Sequence, residues 1–343
     1  MRELLYRIAE GYVPTLSEIE NILSLNEEDA EILFKIADDI KKLYFGNSIH
    51  IRGIIEFSNY CRANCKYCGL RCSNDKLIRY RMSKEEIINC AKEAIDAGYK
   101  TLVLQSGEDL YYTKEILGDI IKSIKEYADI SITLSIGERK FEDYKYLKEV
   151  GADRFLMKHE TADELLYNNL HPHSTFNNRM SCLKNLKQLG YQLGSGFIIG
   201  LPGQTLRTIA KDIMLLKELD VDMAGIGPFI PHKGTPLGSE KPGSAFLTVK
   251  VIALSRILLK RVHLPATTAL GVLDKKYRDK AFFAGANVIM QKIEPYNYRK
   301  LYEIYPKTLE DKKSIKQERQ ELEIYLKGLN LEISNDKGDA LIL

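Results

Sequence analysis

Eight short apolar runs, set apart by stretches with helical periodicity, constrain this 343-residue chain more than any other feature. The runs are 50–57, 101–105, 131–136, 154–158, 192–199, 223–230, 265–270 and 287–290. Between them lie polar turns and amphipathic segments with helix punctuation. Ser83-Lys-Glu-Glu86 has the pattern of a capping box, Thr113 precedes another amphipathic stretch, and Gly98, Gly151 and Gly190 each close a helix just before the next run. Apolar runs alternating with helices predict βαβ units and a parallel sheet. Eight such units predict an α/β chain folded as a (β/α)8 TIM-type barrel, with an open doubly wound sheet as the rival architecture. Ahead of the first run, 15–25 and 26–44 carry apolar residues at helical spacing (Ile32, Leu33, Ile36, Ile40, Leu43), with Gly46 as a stop. After the last run, 309–326 is charge-dense with balanced signs and reads as a solvated closing helix. The expected organisation is an N-terminal helical extension (1–47), a βα barrel (48–306) and a C-terminal helical tail (307–343).

Lys and Arg number 50 against 47 Asp and Glu, a net +3 with the signs mixed along the chain. That balance offers no electrostatic reason for nucleic acid or an anionic membrane as a partner. The least charged long stretch, 189–206, is broken by Gly, Pro and Gln and is a poor bilayer span. The first twenty residues carry charges throughout and no apolar core of a signal peptide. A cytoplasmic location is expected.

Cysteine is the next constraint. Six are too few for a disulfide scaffold, and four of them (Cys61, Cys65, Cys68, Cys72) fall within twelve positions directly after the first run. Cys61, Cys65 and Cys68 form CxxxCxxC on one short loop. Three thiolates can hold three corners of a cubane iron-sulfur cluster, leaving one iron open to an outside ligand. Cys72 extends the pattern to CxxxCxxCxxxC, so a closed four-thiolate iron-sulfur or zinc site stands as an alternative. Cys90 and Cys182 lie inside helical stretches and read as small core hydrophobes.

In a parallel barrel, function gathers at the C-terminal ends of the strands, where most of the remaining polar candidates fall. Ser106-Gly107-Glu108-Asp109 follows the second run; its small residues admit a close ligand, or simply make a turn and helix cap. Glu160 closes the fourth run, and a carboxylate there can accept hydrogen bonds from a bound ligand. Gly200-Leu-Pro-Gly203-Gln-Thr205 lacks the Gly-Lys-Ser/Thr ending of a phosphate loop and reads as a tight turn capped by Thr205. His232 reads as a satisfied core histidine.

A CxxxCxxC loop after the first strand of a βα barrel resembles the radical S-adenosylmethionine superfamily. The segments RGIIEFSNYCRANCKYCGLR (52–71), LVLQSGED (102–109), GADRFLMKHETAD (151–163), GSGFIIGLPGQT (194–205), GIGPFIPHKGTPL (225–237) and PATTALG (265–271) resemble the branch of it that matures FeFe hydrogenases. The likeness runs from about Ile49 to Pro306, with methylornithine synthase and biotin synthase as the nearest other members. It implies a 4Fe-4S cluster on Cys61, Cys65 and Cys68, with S-adenosylmethionine on the open iron. Where the superfamily usually has Gly-Gly-Glu, Ser106 replaces the first glycine; the backbone here would receive the amino group of the methionine moiety.

By the same resemblance Arg179 would clamp the methionine carboxylate, a role that its bare sequence setting would leave to an ordinary surface ion pair. Glu160 would hold the ribose, Ile198 would pack on adenine, and Tyr67 would cover the ligand. Gln105, Gly107, Glu108, Thr133 and Ser135 complete the expected cofactor side. Arg154, Thr267, Thr268, Met290, Tyr302 and Tyr305 would line an inner substrate cavity able to hold anions. The implied activity is reductive cleavage of S-adenosylmethionine to a 5'-deoxyadenosyl radical. That radical would attack a small cysteine-bound iron carbonyl cyanide precursor, in company with other hydrogenase maturases and a low-potential electron donor. An amino-acid mutase like methylornithine synthase and a non-catalytic iron-sulfur scaffold are the alternatives. Some members carry a second cluster on three C-terminal cysteines; residues 307–343 contain none, so this chain has no such cluster there.

Overall fold

A computed structural model describes residues 1–306 and 312–341. Three helices open the chain: α1 (Arg2–Glu10), α2 (Leu16–Leu23) and α3 (Glu27–Phe45). Thr15 and Asn26 cap α2 and α3 with their side chains, satisfying backbone N–H groups that the first helical turn leaves without partners. Then strands and helices alternate: β1 (Ser48–Ser58), α4 (Lys84–Asp96), β2 (Thr101–Ser106), α5 (Lys114–Tyr127), β3 (Ser131–Ser135), α6 (Phe141–Glu149) and β4 (Arg154–Leu156). They continue with α7 (Glu164–Leu170), α8 (Phe176–Gln188), β5 (Gln192–Ile199), α9 (Leu206–Glu218), β6 (Met223–Pro228) and α10 (Ala245–Leu259). Last come α11 (Thr268–Leu273), α12 (Lys275–Phe282), β7 (Val288–Lys292), α13 (Tyr296–Arg299), α14 (Ile315–Gly328) and β8 (Glu332–Ile333).

The strands pair in parallel in the order β6-β5-β4-β3-β2-β1-β7, and β8 adds to the start of β1. The segment 263–266 crosses from β6 to β7. His263 pairs with Met223 and Pro265 with Val288, and Ala266 N–H donates to Val288 O at 2.9 Å. The parallel α/β barrel expected from the sequence is thus observed, with one change. The run expected over 265–270 contributes only this short crossing, because Thr267 caps α11 by accepting from Leu270 N–H and so turns the chain into a helix. The expected closing helix is α14; the first part of that expectation, 309–311, lies outside the described residues.

The strands sort their side chains by alternation. In β3, Ile132 and Leu134 are fully buried toward the helix layer, while Thr133 and Ser135 face the barrel interior. In β1, Ile51, Ile55 and Phe57 join the core outside the barrel, and Arg52, Ile54 and Glu56 point inward. Each fully buried Leu, Ile or Phe of this layer contributes about 1.5–3 kcal/mol from water exclusion.

The lower end of the barrel is closed by the chain's last described residues. Arg154 donates to Asp339 Oδ1 (2.6 Å), Lys337 O (2.7 Å) and Gln192 Oε1 (3.0 Å). Arg154 and Thr133, with Arg52 and His263, line a pocket of about 10 Å³ at this floor. Neither lines the large cavity above. The expectation that Arg154 belongs to the substrate cavity and Thr133 to the cofactor side is therefore corrected: Arg154 opens its strand, as the run 154–158 has it, and so lies at the floor, and Thr133 sits mid-strand. No helix among the described residues is long and apolar enough to cross a membrane.

Candidate functional site

The cysteine loop covers a cavity of about 360 Å³ at the C-terminal ends of the strands. Backbone pairing holds the loop in place. Lys66 N–H donates to Leu170 O (3.0 Å), Gly69 N–H to Ile304 O (2.9 Å) and Cys72 N–H to Ala63 O (2.9 Å). Arg79 fastens it further by donating to the carbonyls of Leu70 (2.8 Å) and Arg71 (2.7 Å).

Cys61, Cys65 and Cys68 are half-buried and all three line the cavity. Burial pushes their thiols up from the ordinary range; at Cys65 and Cys68 the neighbouring cysteines add to the effect, and Cys68 reaches about 12. Three thiolates cannot stand together here unless a cationic group compensates them. That donor set fits an iron-sulfur cluster. Cys72 is exposed, lies 3.7 Å from His173 Nε2, and does not line the cavity. The loop turns its fourth cysteine away.

Tyr67 donates from its hydroxyl to His171 Nε2 (2.8 Å), and His171 Nδ1 is 2.8 Å from Tyr167 O. A carbonyl can only accept, so Nδ1 carries the proton and Nε2 accepts from Tyr67. Burial, helped by the charge of Arg179, lowers His171 to about 4 and keeps it neutral. The imidazole stacks on Tyr167 with ring centroids 4.0 Å apart. Tyr67 is thus a fixed wall of the cavity.

The end of β2 runs against the cysteine loop. A Cβ at Gly107 would lie 2.2 Å from Tyr60 O and 2.7 Å from Cys61 Cβ, so only glycine fits. Glu108 N–H donates to Cys61 Sγ (3.3 Å), while its carboxylate accepts from Glu138 N–H and Arg62 Nε (both 3.1 Å). Gln105, Ser106 and Ser135 line the cavity beside it.

Glu160 holds a left-handed backbone (φ 64°) that costs about 1–3 kcal/mol for a residue other than glycine. Two bonds enforce it: Glu160 N–H donates to Gly196 O (3.0 Å) and Ile198 N–H donates to Glu160 O (3.1 Å). Its carboxylate faces the cavity, and Oε2 is buried without a hydrogen-bond partner. An orphaned acceptor of this kind fits a ligand hydroxyl. His159, next to it, points the other way, 3.5 Å from buried Asp212.

Arg179, on α8, is buried rather than on the surface. It donates to Glu138 Oε1 (2.7 Å) and to Lys158 O, and it lines the cavity. Burial alone would raise the Glu138 carboxyl; Arg179, Ser174 and Asn178 more than reverse this and hold it below its ordinary value. Ile198, Thr267, Thr268, Met290, Tyr302 and Tyr305 all line the same cavity. His232 does not; it accepts from Gly234 N–H (3.0 Å) and lies 3.4 Å from Glu303, as a satisfied buried histidine would. Glu56, Lys158, His171 and Lys292 line the cavity without having been expected there. Glu56 was legible as the third member of the inward set Arg52-x-Ile54-x-Glu56; Glu138 and His171 carry no local signal.

Residues 55–216 match the family model described as the radical SAM superfamily. The chain is 50% identical over 306 residues to the FeFe hydrogenase maturase subunit HydE of Thermotoga maritima, covering 89% of this chain and 87% of that one. It is 31% identical to 3-methylornithine synthase of Methanosarcina acetivorans, covering 82% of this chain and 81% of that protein. Among solved structures, methylornithine synthase (PylB) superposes with a TM-score of 0.85 at 26% identity over 96% of this chain and 97% of that one.

Proposed function

Because this chain belongs to the radical SAM superfamily and is a radical SAM enzyme, we propose that it works in FeFe-hydrogenase maturation with the cavity under the cysteine loop as its reaction chamber. Cys61, Cys65 and Cys68 would hold a 4Fe-4S cluster, and Cys72 would take no part. When bound, the cluster and S-adenosylmethionine supply one-electron cleavage of the sulfonium and a 5'-deoxyadenosyl radical.

The chain's own residues do the positioning. Arg179 would present its guanidinium to the methionine carboxylate, and the Ser106–Gly107 backbone, which lines the same cavity, would receive the amino group. Glu160 accepts from the ribose, Ile198 packs on adenine, and Tyr67 covers the ligand from above. Gln105, Glu108 and Ser135 line the same side. Thr267, Thr268, Met290, Tyr302 and Tyr305 enclose the substrate, which we take to be a small cysteine-bound iron carbonyl cyanide complex. The apolar remainder of the lining excludes water from a reactive species. Other hydrogenase maturases and a low-potential electron donor are the expected partners.

The observation that carries this reading is that the three cysteines and the orphaned Glu160 oxygen face one cavity. The test is anaerobic reconstitution with iron and sulfide, then S-adenosylmethionine and dithionite. Formation of 5'-deoxyadenosine is expected, and its absence from fully loaded protein returns the scaffold reading. Turnover of lysine to methylornithine would replace the maturase reading by the mutase one.

A further inference from the structure

The wall formed by β1 and β7 carries charge that the reading above leaves unused. Glu56 and Lys292 both line the cavity, and Lys292 Nζ lies 2.7 Å from Glu56 Oε2. Ile54 is the register partner of Lys292, so the inward alternation of β1 sets Glu56 one step further toward the cysteine loop. The Glu56 side chain is 3% exposed and that of Lys292 21%, so the ammonium is the more open of the two. Its Nζ stands 5.7 Å from the centre of the Tyr302 ring. Behind the pair, Glu294 is wholly buried and accepts from Glu56 N–H (3.4 Å).

Stability does not account for this arrangement. Removing two charges from water costs several kcal/mol per ion, and apolar pairs of similar volume serve a barrel interior as well or better. The pair is explained if it meets a ligand. Lys292 has three N–H donors, and Glu56 Oε2 takes one of them. Burial works against the ammonium, but the Glu56 carboxylate bonded to it offsets this and keeps Lys292 charged, while burial raises the Glu294 carboxyl to about 8 and leaves it neutral near pH 7. The pair is neutral as a whole. A simple anion would meet Glu56 and a simple cation would meet Lys292. A molecule with both charges a few ångströms apart satisfies both.

We propose that Glu56 and Lys292 read the substrate of this cavity and select an α-amino-acid head group, with its carboxylate on Lys292 and its ammonium on Glu56. This rests on the reading of the cavity as the reaction chamber of a radical SAM enzyme.

The test uses cluster-loaded, oxidised protein saturated with S-adenosylmethionine, so that the cofactor site is filled and no turnover occurs. The probes are S-methyl-L-cysteine, 3-(methylthio)propanoate, which lacks the ammonium, and 2-(methylthio)ethylamine, which lacks the carboxylate. Calorimetric titration is expected to show S-methyl-L-cysteine binding at least tenfold tighter than either analogue. The Glu56→Leu/Lys292→Met double variant should reduce that preference to less than twofold. Lys292→Gln, which leaves Glu56 in place, should lose the preference over the amine and keep the preference over the propanoate. Equal binding of the three probes, no binding of S-methyl-L-cysteine, or preferences unchanged in the variants would overturn the inference. Formation of 5'-deoxyadenosine by the reduced wild-type protein is measured in parallel. If it fails, the underlying reading fails; if it succeeds while the preferences are absent, only this inference does.

Discussion

Arg179 Nε donates to Glu138 Oε1 across 2.7 Å, joining α8 to the loop after β3 from 41 positions away in the sequence. The pair sits at the cavity edge with Ser174 and Asn178 completing the hydrogen bonds of the carboxylate. Glu138 therefore aims Arg179 into the chamber.

Arg179→Ala is expected to weaken S-adenosylmethionine binding at least tenfold while iron and sulfide loading stays near wild type. It also strands a buried carboxylate, a loss of about 3–5 kcal/mol in stability. Arg179→Ala/Glu138→Gln should recover part of that stability and none of the affinity. Equilibrium binding and thermal melts check the two halves separately; unchanged affinity in the single variant would remove Arg179 from its role.

Cys72→Ala should load a full cluster, since the Cys72 side chain is exposed and turned toward His173. Cys65→Ala should load none, or an unstable one. Iron content and absorbance after anaerobic reconstitution decide this. Loss of cluster from Cys72→Ala would reinstate the four-thiolate site.

Gly107→Ala puts a methyl group 2.2 Å from Tyr60 O, so either the end of β2 or the loop must move. We expect about 1–3 kcal/mol of destabilisation. Because Cys61 is the next atom met, cluster loading should fall as well. A Gly107→Ala protein with wild-type melting and loading would show the contact to be yielding.

His50 lies on the barrel floor, 3.1 Å from Asp336. Burial lowers it from 6.5 to about 4, with Asp336 opposing. The unfolded chain therefore takes up this proton first as pH falls. The stability that His50 contributes is complete above pH 6.5 and is lost progressively down to about pH 4. The total is about 3 kcal/mol at 1.36 kcal/mol per unit. Chemical denaturation of the cluster-free protein between these limits should show His50→Gln with a shallower acid slope than wild type, by up to one proton.

Much of the frame was legible because strand and helix periods are local. The alternation placed strands at 192–199 and 131–135 almost to the residue, and Ser83 and Thr113 cap helices as their sequence context implies. The run at 265–270 misled because its apolar composition suits a strand, while the side chain of Thr267 offers the backbone a cap instead. Arg154 misled for a different reason. Its place at the start of the run 154–158 was legible, but the cavity role came from the family resemblance, and β4 instead carries Arg154 to the floor beside Asp339.

By itself the sequence determined a parallel α/β chain whose first strand is followed by a loop of three closely spaced cysteines, since spacing along the backbone is enough to read both. Only the tertiary structure decided what surrounds those thiols. Closing the sheet brings Lys292 beside Glu56 from 236 positions away and carries Asp339 to Arg154 across 185. Such pairings depend on strand register and on the low-dielectric interior that makes each charge seek a partner, and neither has a local signature in the chain.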